Sequence, residues 1–394
     1  SKNTFSSIPV FLAFLCMGFG DVVGPMVSLA KETFRLSTFV AQLLPLTGFI
    51  MFGLLSVPMG VFQDRRGKKY VLSIGLFIAF IGLIIPVING MYGIDIKIDS
   101  SSGSKFLILL LSILLLGAGA TLLQVSGNPI MRDVSPEGKY SSNLSFGQTI
   151  KAIGSSLGFL IPAFVAKPLG LNWTVLFPIY ALLVFATFIW LRATKISEKK
   201  DNDSKPATFS SCFSLLSNPY ILFMVVAIFL YVGAEVSMSS GVPLLMSESY
   251  GLNLQELGLV ISWGLFFFPI FIGRLVGGVI LRFLEPKKFL LFTVILSIAG
   301  IIMMYFGSRF FAFSGIILVG LGFANIFPLI FSITVDKLPS RTNEISGLMI
   351  TAIVGGAIIP PVFGYVADNS DILTAFVVPL VCLAYIFFVT IFNF

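Results

Sequence analysis

Four ionisable side chains interrupt long apolar runs in this chain: Asp21, Lys151, Glu235 and Arg274. A charge at the centre of a bilayer helix costs about 2.5–3.5 kcal/mol on insertion scales, so such groups face an interior and do work there. A carboxylate in that setting can carry a proton or accept hydrogen bonds, because burial and a nearby cation shift its proton affinity in opposite directions. Asp21 lies about 13 residues into the first run, roughly 20 Å along a helix, which is near mid-bilayer. Glu235 stands at a similar depth in the seventh run. Lys151 lies about two turns from one end of the fifth run. The plainer roles are a permanent Asp21–Lys151 salt bridge and a helix-packing hydrogen bond for Glu235. Arg274, in a Gly-Arg step near the end of the eighth run, reads as part of a gate.

Uncharged groups join them. Gln124, Asn128, Gln148 and Asn325 place amides in four runs, and Trp263 places an indole inside the eighth. Amides can bind a polar solute, with an aromatic face beneath it, or tie helices together. There is no histidine, and Cys16, Cys212 and Cys382 lie far apart with no metal or redox spacing. No nucleophile–base pair or phosphate loop stands in a plausible place. Neither an enzyme nor a cofactor or metal site is expected.

Helices must hold these residues. The chain has 394 residues, is 57% hydrophobic and 11% charged, and has a mean hydropathy of +1.01. Soluble domains carry about 25% charged residues, so this chain cannot cover a water-facing surface. Runs of about 20 apolar residues span roughly 30 Å of hydrocarbon. They fall near 8–30, 39–62, 70–90, 106–129, 143–166 and 172–192. A second set falls near 218–246, 255–281, 288–306, 311–336, 344–367 and 372–394. The first is too long for a signal-peptide core and lacks a small-residue cleavage site, so it reads as helix 1.

Basic residues gather in alternate loops: Lys2, then Arg65, Arg66, Lys68 and Lys69, then Arg132 and Lys139. Arg192, Lys195, Lys199, Lys200 and Lys205 follow, then Arg282, Lys287 and Lys288, then Lys337 and Arg341. The other loops hold Lys31, Arg35, Lys97, Lys105, Lys167 and Arg309. This bias places both termini in the cytoplasm. It also accounts for the net charge of +7, so no nucleic-acid partner is expected. The polar stretch 195–206 reads as a solvated cytoplasmic linker. It divides a six-helix bundle over 1–192 from another over 218–394, with the linker at 193–217. The halves echo each other. A Gly-and-Lys-rich loop follows helix 2 (60–69) and helix 8 (278–288). Asn128 and Pro129 precede Asp133, as Asn325 and Pro328 precede Asp336. Two matching halves with a site between them near the midplane suit a rocking transporter.

Gly60, Asp64, Arg65, Gly67, Lys68 and Lys69 together resemble the signature loop of the major facilitator superfamily. The resemblance implies a cytoplasmic gate in which Asp64 holds a basic residue or the N-terminus of a neighbouring helix. That contact breaks when the cytoplasmic side opens. The stretches 124–129 (QVSGNP), 147–153 (GQTIKAI), 230–236 (LYVGAEV) and 355–368 (GGAIIPPVFGYVAD) resemble the fucose–galactose–glucose:proton symporter branch. That branch implies uptake of a hexose or deoxyhexose driven by protons. Asp21, Glu235 and Lys151 would then couple the proton, and Gln124, Asn128, Gln148, Asn325 and Trp263 would bind the sugar. Where members of that branch carry an acid in helix 4, this chain has Gln124. Any coupled proton therefore falls to Asp21 or Glu235.

The chain thus reads as an all-α membrane protein of 12 transmembrane helices in two pseudo-symmetric six-helix bundles. It is expected to be a monomer in a bacterial inner membrane, with a sugar, a proton (or sodium) and the lipid bilayer as partners. The alternative is the same fold moving another small solute, as a uniporter, a sodium-coupled carrier or a drug or lipid exporter. Exporters favour wide apolar cavities, so the amides argue for a polar solute.

Overall fold

A computed structural model describes residues 2–94, 103–136, 140–198, 208–281, 283–338 and 341–392. Among them every regular element is helical. Twelve helices are long and apolar enough to cross a membrane. Helices 1 to 6 are Ser7–Phe34, Thr38–Gln63, Lys68–Ile88, Gly103–Met131, Phe146–Leu169 and Trp173–Ala193. Helices 7 to 12 are Pro219–Glu248, Leu254–Gly277, Pro286–Met304, Arg309–Thr334, Gly347–Asn369 and Ile372–Phe392. Each coincides with one of the apolar runs, because hydrocarbon thickness sets run length directly.

Within lipid, helices associate through close packing at small residues. A Cβ on Gly18 would stand 2.3 Å from the Lys151 carbonyl oxygen, and one on Gly154 would stand 2.2 Å from that of Leu15. Helices 1 and 5 therefore touch backbone to backbone. Helices 2 and 4 do the same, since a Cβ on Gly117 would lie 2.1 Å from the Gly48 carbonyl oxygen.

Three helices break where a proline removes a backbone donor. In helix 1, α-helix Lys2–Gly18 passes through a 3-10 turn at Phe19–Val22 before Val23–Phe34 resumes. Pro25 cannot donate to the Asp21 carbonyl, and Gly18 and Gly20 weaken the same turn. In helix 10, α-helices Arg309–Phe323 and Ile326–Lys337 are separated at 324–325. Pro328 leaves the Ala324 carbonyl without its helical partner. Helix 8 contains π-turns at Leu254–Gly258 and Trp263–Phe267, the second beside Pro269.

A group of polar links between the two sets of six helices lies on the face away from the chain ends. Lys31 pairs with Glu248, and Ser247 Oγ donates to Glu32 at 2.9 Å. Lys167 pairs with Glu256 at 2.5 Å, and Gln42 Nε2 donates to Ser240 Oγ at 2.8 Å. The backbone amides of Thr38 and Phe39 both donate to Asp368.

On the face bearing the chain ends, Lys68 Nζ meets Asp133 at 2.8 Å, and the Asp133 side chain is almost fully buried. Glu198 accepts from the backbone amides of Lys68 and Lys69 at 2.7 and 2.9 Å, so it seats on the start of helix 3. The polar stretch 195–206 is thus anchored at this acid rather than wholly solvated, and its residues 199–206 lie outside the described residues. A short helix, Phe209–Ser214, follows. Arg341 Nη2 donates to its Ser211 carbonyl at 2.9 Å, fastening it to the approach to helix 11.

Candidate functional site

The turn at Phe19–Val22 carries Asp21 out of the regular helix and into a cavity. Asp21 and Met17 line it from helix 1, Phe49 and Phe52 from helix 2, and Ala120 and Gln124 from helix 4. The Phe49 and Phe52 rings lie 5.8 Å apart at 28°, which forms an aromatic wall facing the carboxylate and the amide.

Asp21 is held from helix 5. Ser155 Oγ donates to its carboxylate at 2.7 Å, and Lys151 Nζ lies 3.7 Å away. The glycine contact between helices 1 and 5 sets this register. The carboxylate and the lysine remain partly exposed, by 32% and 21%, so solute and water can reach both.

The second cluster lies among helices 7, 8 and 10. Tyr231 Oη donates to the Phe323 carbonyl at 2.9 Å, and Arg274 Nε lies 3.4 Å from the Ala324 carbonyl. Both carbonyls belong to the broken stretch of helix 10. Glu235 contacts Tyr231, and it lies within electrostatic reach of Arg274 and, across the cavity, of Asp21 and Lys151. Glu235 is therefore within electrostatic reach of the other three intramembrane ionisable residues. Arg274 stands with Glu235 and the helix 10 break.

The remaining sequence candidates are dispersed. Asn325 is buried, and its Nδ2 donates to the Gly273 carbonyl at 2.9 Å, tying helix 10 to helix 8. Trp263 Nε1 donates to Ser156 Oγ at 2.8 Å across helices 8 and 5. Asn128 and Gln148 sit nearer the face with the chain ends, outside the lining of the cavity. Gly60, Arg65, Gly67 and Lys68 lie at that face around the end of helix 2 and the start of helix 3. The Asp64 side chain lies outside the described residues. Sequence reasoning passed over Phe49, Phe52, Tyr231 and Ser155. A Gly-Phe-x-x-Phe spacing on helix 2 was the available signal, but 42 phenylalanines mask it.

Comparison with known proteins follows from this geometry. The family model described as Major Facilitator Superfamily matches residues 10–361. A Brucella abortus biovar 1 (strain 9-941) protein named glucose/galactose transporter is 27% identical over 399 residues, covering 98% of this chain and 93% of its own. The L-fucose-proton symporter of Escherichia coli (strain K12) is 22% identical over 409 residues, covering 96% of this chain and 89% of its own. A crystal structure of a variant of the E. coli fucose:proton symporter superposes with a TM-score of 0.67 at 21% identity, covering 99% of both chains.

Proposed function

Because the chain belongs to the Major Facilitator Superfamily, we propose that it takes up a hexose or deoxyhexose of the glucose, galactose or fucose class by proton symport. It is a multi-pass membrane transporter and not an enzyme. The bacterial inner membrane is its proposed home, with both termini in the cytoplasm as the basic loops favour. The observation that carries the substrate class is one cavity joining Asp21, Gln124, Phe49 and Phe52. A carboxylate and an amide can engage adjacent hydroxyls while an aromatic wall covers the C–H face of a sugar ring.

Asp21 and Glu235 are the proposed proton carriers. A proton on Asp21 cancels its charge and leaves Lys151 uncompensated, which changes the field where the solute sits. Tyr231 has one hydroxyl proton to give. With Glu235 protonated, the acid donates to the Tyr231 oxygen while Tyr231 donates to helix 10. With Glu235 ionised, the carboxylate competes for that same hydroxyl proton. Occupancy of Glu235 is thereby communicated to the break in helix 10. Arg274 belongs to this cluster rather than to the gate, and Asn325 acts as a tie between helices. Gln124 is the principal amide ligand, and Asn128, Gln148 and Trp263 are secondary candidates. With the termini inside, the outer links hold the molecule closed to the outside.

The test uses purified protein in liposomes with a pH-sensitive dye, to which glucose, galactose and fucose are added in turn. Sugar-dependent movement of protons with the sugar supports symport. Entry with no pH change would remove the proton, and entry of none of the sugars would remove the substrate class.

A further inference from the structure

The contact between Asp368 and the start of helix 2 has no part in solute or proton binding. Asp368 is the next-to-last residue of α-helix Gly355–Asn369 in helix 11. Its two carboxylate oxygens accept from the backbone amides of Thr38 and Phe39, each at 2.7 Å. The first amides of a helix have no partner within it. Ser37, the local N-cap, accepts from Val40 at 3.2 Å. The remaining donors of helix 2 are thus satisfied from the opposite half of the chain.

That arrangement has an energetic consequence. A cap supplied by a neighbouring residue persists in every conformation, so it favours none. A cap borrowed from the other half exists only while the halves meet on that face, so its free energy acts on one state alone. The contact also places a carboxylate at the positive end of a helix, through two charge-assisted hydrogen bonds. Asp368 is itself exposed; what separates it from the nearby ion pairs is that its partners are backbone amides fixed by the helix rather than long flexible side chains. The side chains of Lys31 and Glu248 are 21% and 39% exposed, and those of Lys167 and Glu256 are 52% and 46% exposed. Solvated ion pairs of that kind contribute little.

We propose that Asp368 is the latch of the outer gate, a positioning residue that holds helix 11 to the start of helix 2 and must release before the site faces outward. It rests on the alternating-access reading above, and on neither the identity of the sugar nor that of the ion. Helix 2 then receives a carboxylate at one end from helix 11 and carries Asp64 near its other end.

The experiment reads access to the seam without any substrate. Ser240, fully buried against Gln42, is changed to cysteine, with the native Cys16, Cys212 and Cys382 replaced by alanine. A charged, membrane-impermeant maleimide is added to right-side-out vesicles and, separately, to inside-out vesicles. Asp368→Asn should raise the right-side-out labelling rate about tenfold, the effect of losing about 1.4 kcal/mol of charged hydrogen bonding. Thr38→Pro is the second variant. It deletes the Thr38 amide and hydroxyl, both bonded to Asp368, and leaves the acid intact, because the first helical position accepts proline. Ser37, at φ −65° and ψ 159°, already has the extended backbone that a residue before proline requires. Thr38→Pro should also speed labelling, and by more than Thr38→Val, which removes the hydroxyl bond to Asp368 and keeps the amide. Unchanged rates in both Asp368→Asn and Thr38→Pro, or faster labelling confined to inside-out vesicles, would overturn the latch. Because no sugar is present, absence of sugar transport would count against the proposed function and leave this measurement intact.

Discussion

Asparagine at position 21 separates coupling from transport. Asp21→Asn keeps an acceptor for the Ser155 hydroxyl at 2.7 Å and loses the ion pair with Lys151 at 3.7 Å. With both side chains partly exposed, that pair contributes about 0–1 kcal/mol, so the variant should fold and insert. The functional loss is much larger. One proton moving down 100 mV releases about 2.3 kcal/mol. At about 1.4 kcal/mol per decade, that sustains roughly fiftyfold accumulation of a neutral sugar. In energised proteoliposomes the variant should bring the inside-to-outside sugar ratio down from about fifty to about one. Sugar–sugar counterflow, which needs no net proton movement, should continue. Continued uphill accumulation with accompanying proton uptake would refute Asp21 as the carrier and leave Glu235. Loss of counterflow as well would show that the solute requires the Asp21 carboxylate itself, which asparagine does not replace.

Gln124→Leu should raise the KM for sugar about tenfold at near-constant maximal rate, since an unpaired solute hydroxyl costs about 1–3 kcal/mol; initial uptake rates measure it. Gly154→Val should destabilise the fold by about 1–3 kcal/mol through overpacking, because its Cβ would meet the Leu15 carbonyl oxygen at 2.2 Å. A lowered melting transition in detergent reports it, and an unchanged transition contradicts backbone contact between helices 1 and 5. Asp371, between helices 11 and 12, is held below the usual carboxylate range by the Thr374 hydroxyl and then by the Thr374 amide. A depressed folded value means its contribution is present above the unfolded value of about 3.9 and is lost as pH falls through the lower folded one. Asp371→Asn should therefore flatten the acid limb of the stability profile below about pH 4, as followed by melting against pH.

The twelve helices were legible because a bilayer imposes one length on every span. The pairing of Asp21 with Lys151 followed from the family resemblance, in which helices 1 and 5 line one half of the cavity, and the two groups stand 3.7 Å apart. Other features depend on contacts that spacing does not encode. Asn325 looked like a ligand, yet its amide is used by the Gly273 carbonyl. Arg274 looked like a gate residue, yet Pro328 frees the Ala324 carbonyl that its guanidinium approaches. Glu198 sat in a stretch that composition marks as solvated, and only the fold brings it to the amides of helix 3. The phenylalanine wall was invisible for a statistical reason: lipid-facing positions use the same residue.

The glycine contact between helices 1 and 5 limits how the acid in the cavity can operate. With Gly18 against the Lys151 carbonyl and Gly154 against that of Leu15, neither helix can slide past the other without collision. Asp21, Ser155 and Lys151 are therefore mounted on one rigid bracket. Their mutual distances can change only by turning a side chain. The stroke of the switch is then a rotamer, a motion of picoseconds to nanoseconds in an exposed side chain, while the bracket itself rocks a thousand or more times slower, over microseconds to milliseconds. Reorientation of the Asp21 carboxylate should reach equilibrium many times within each conformational cycle.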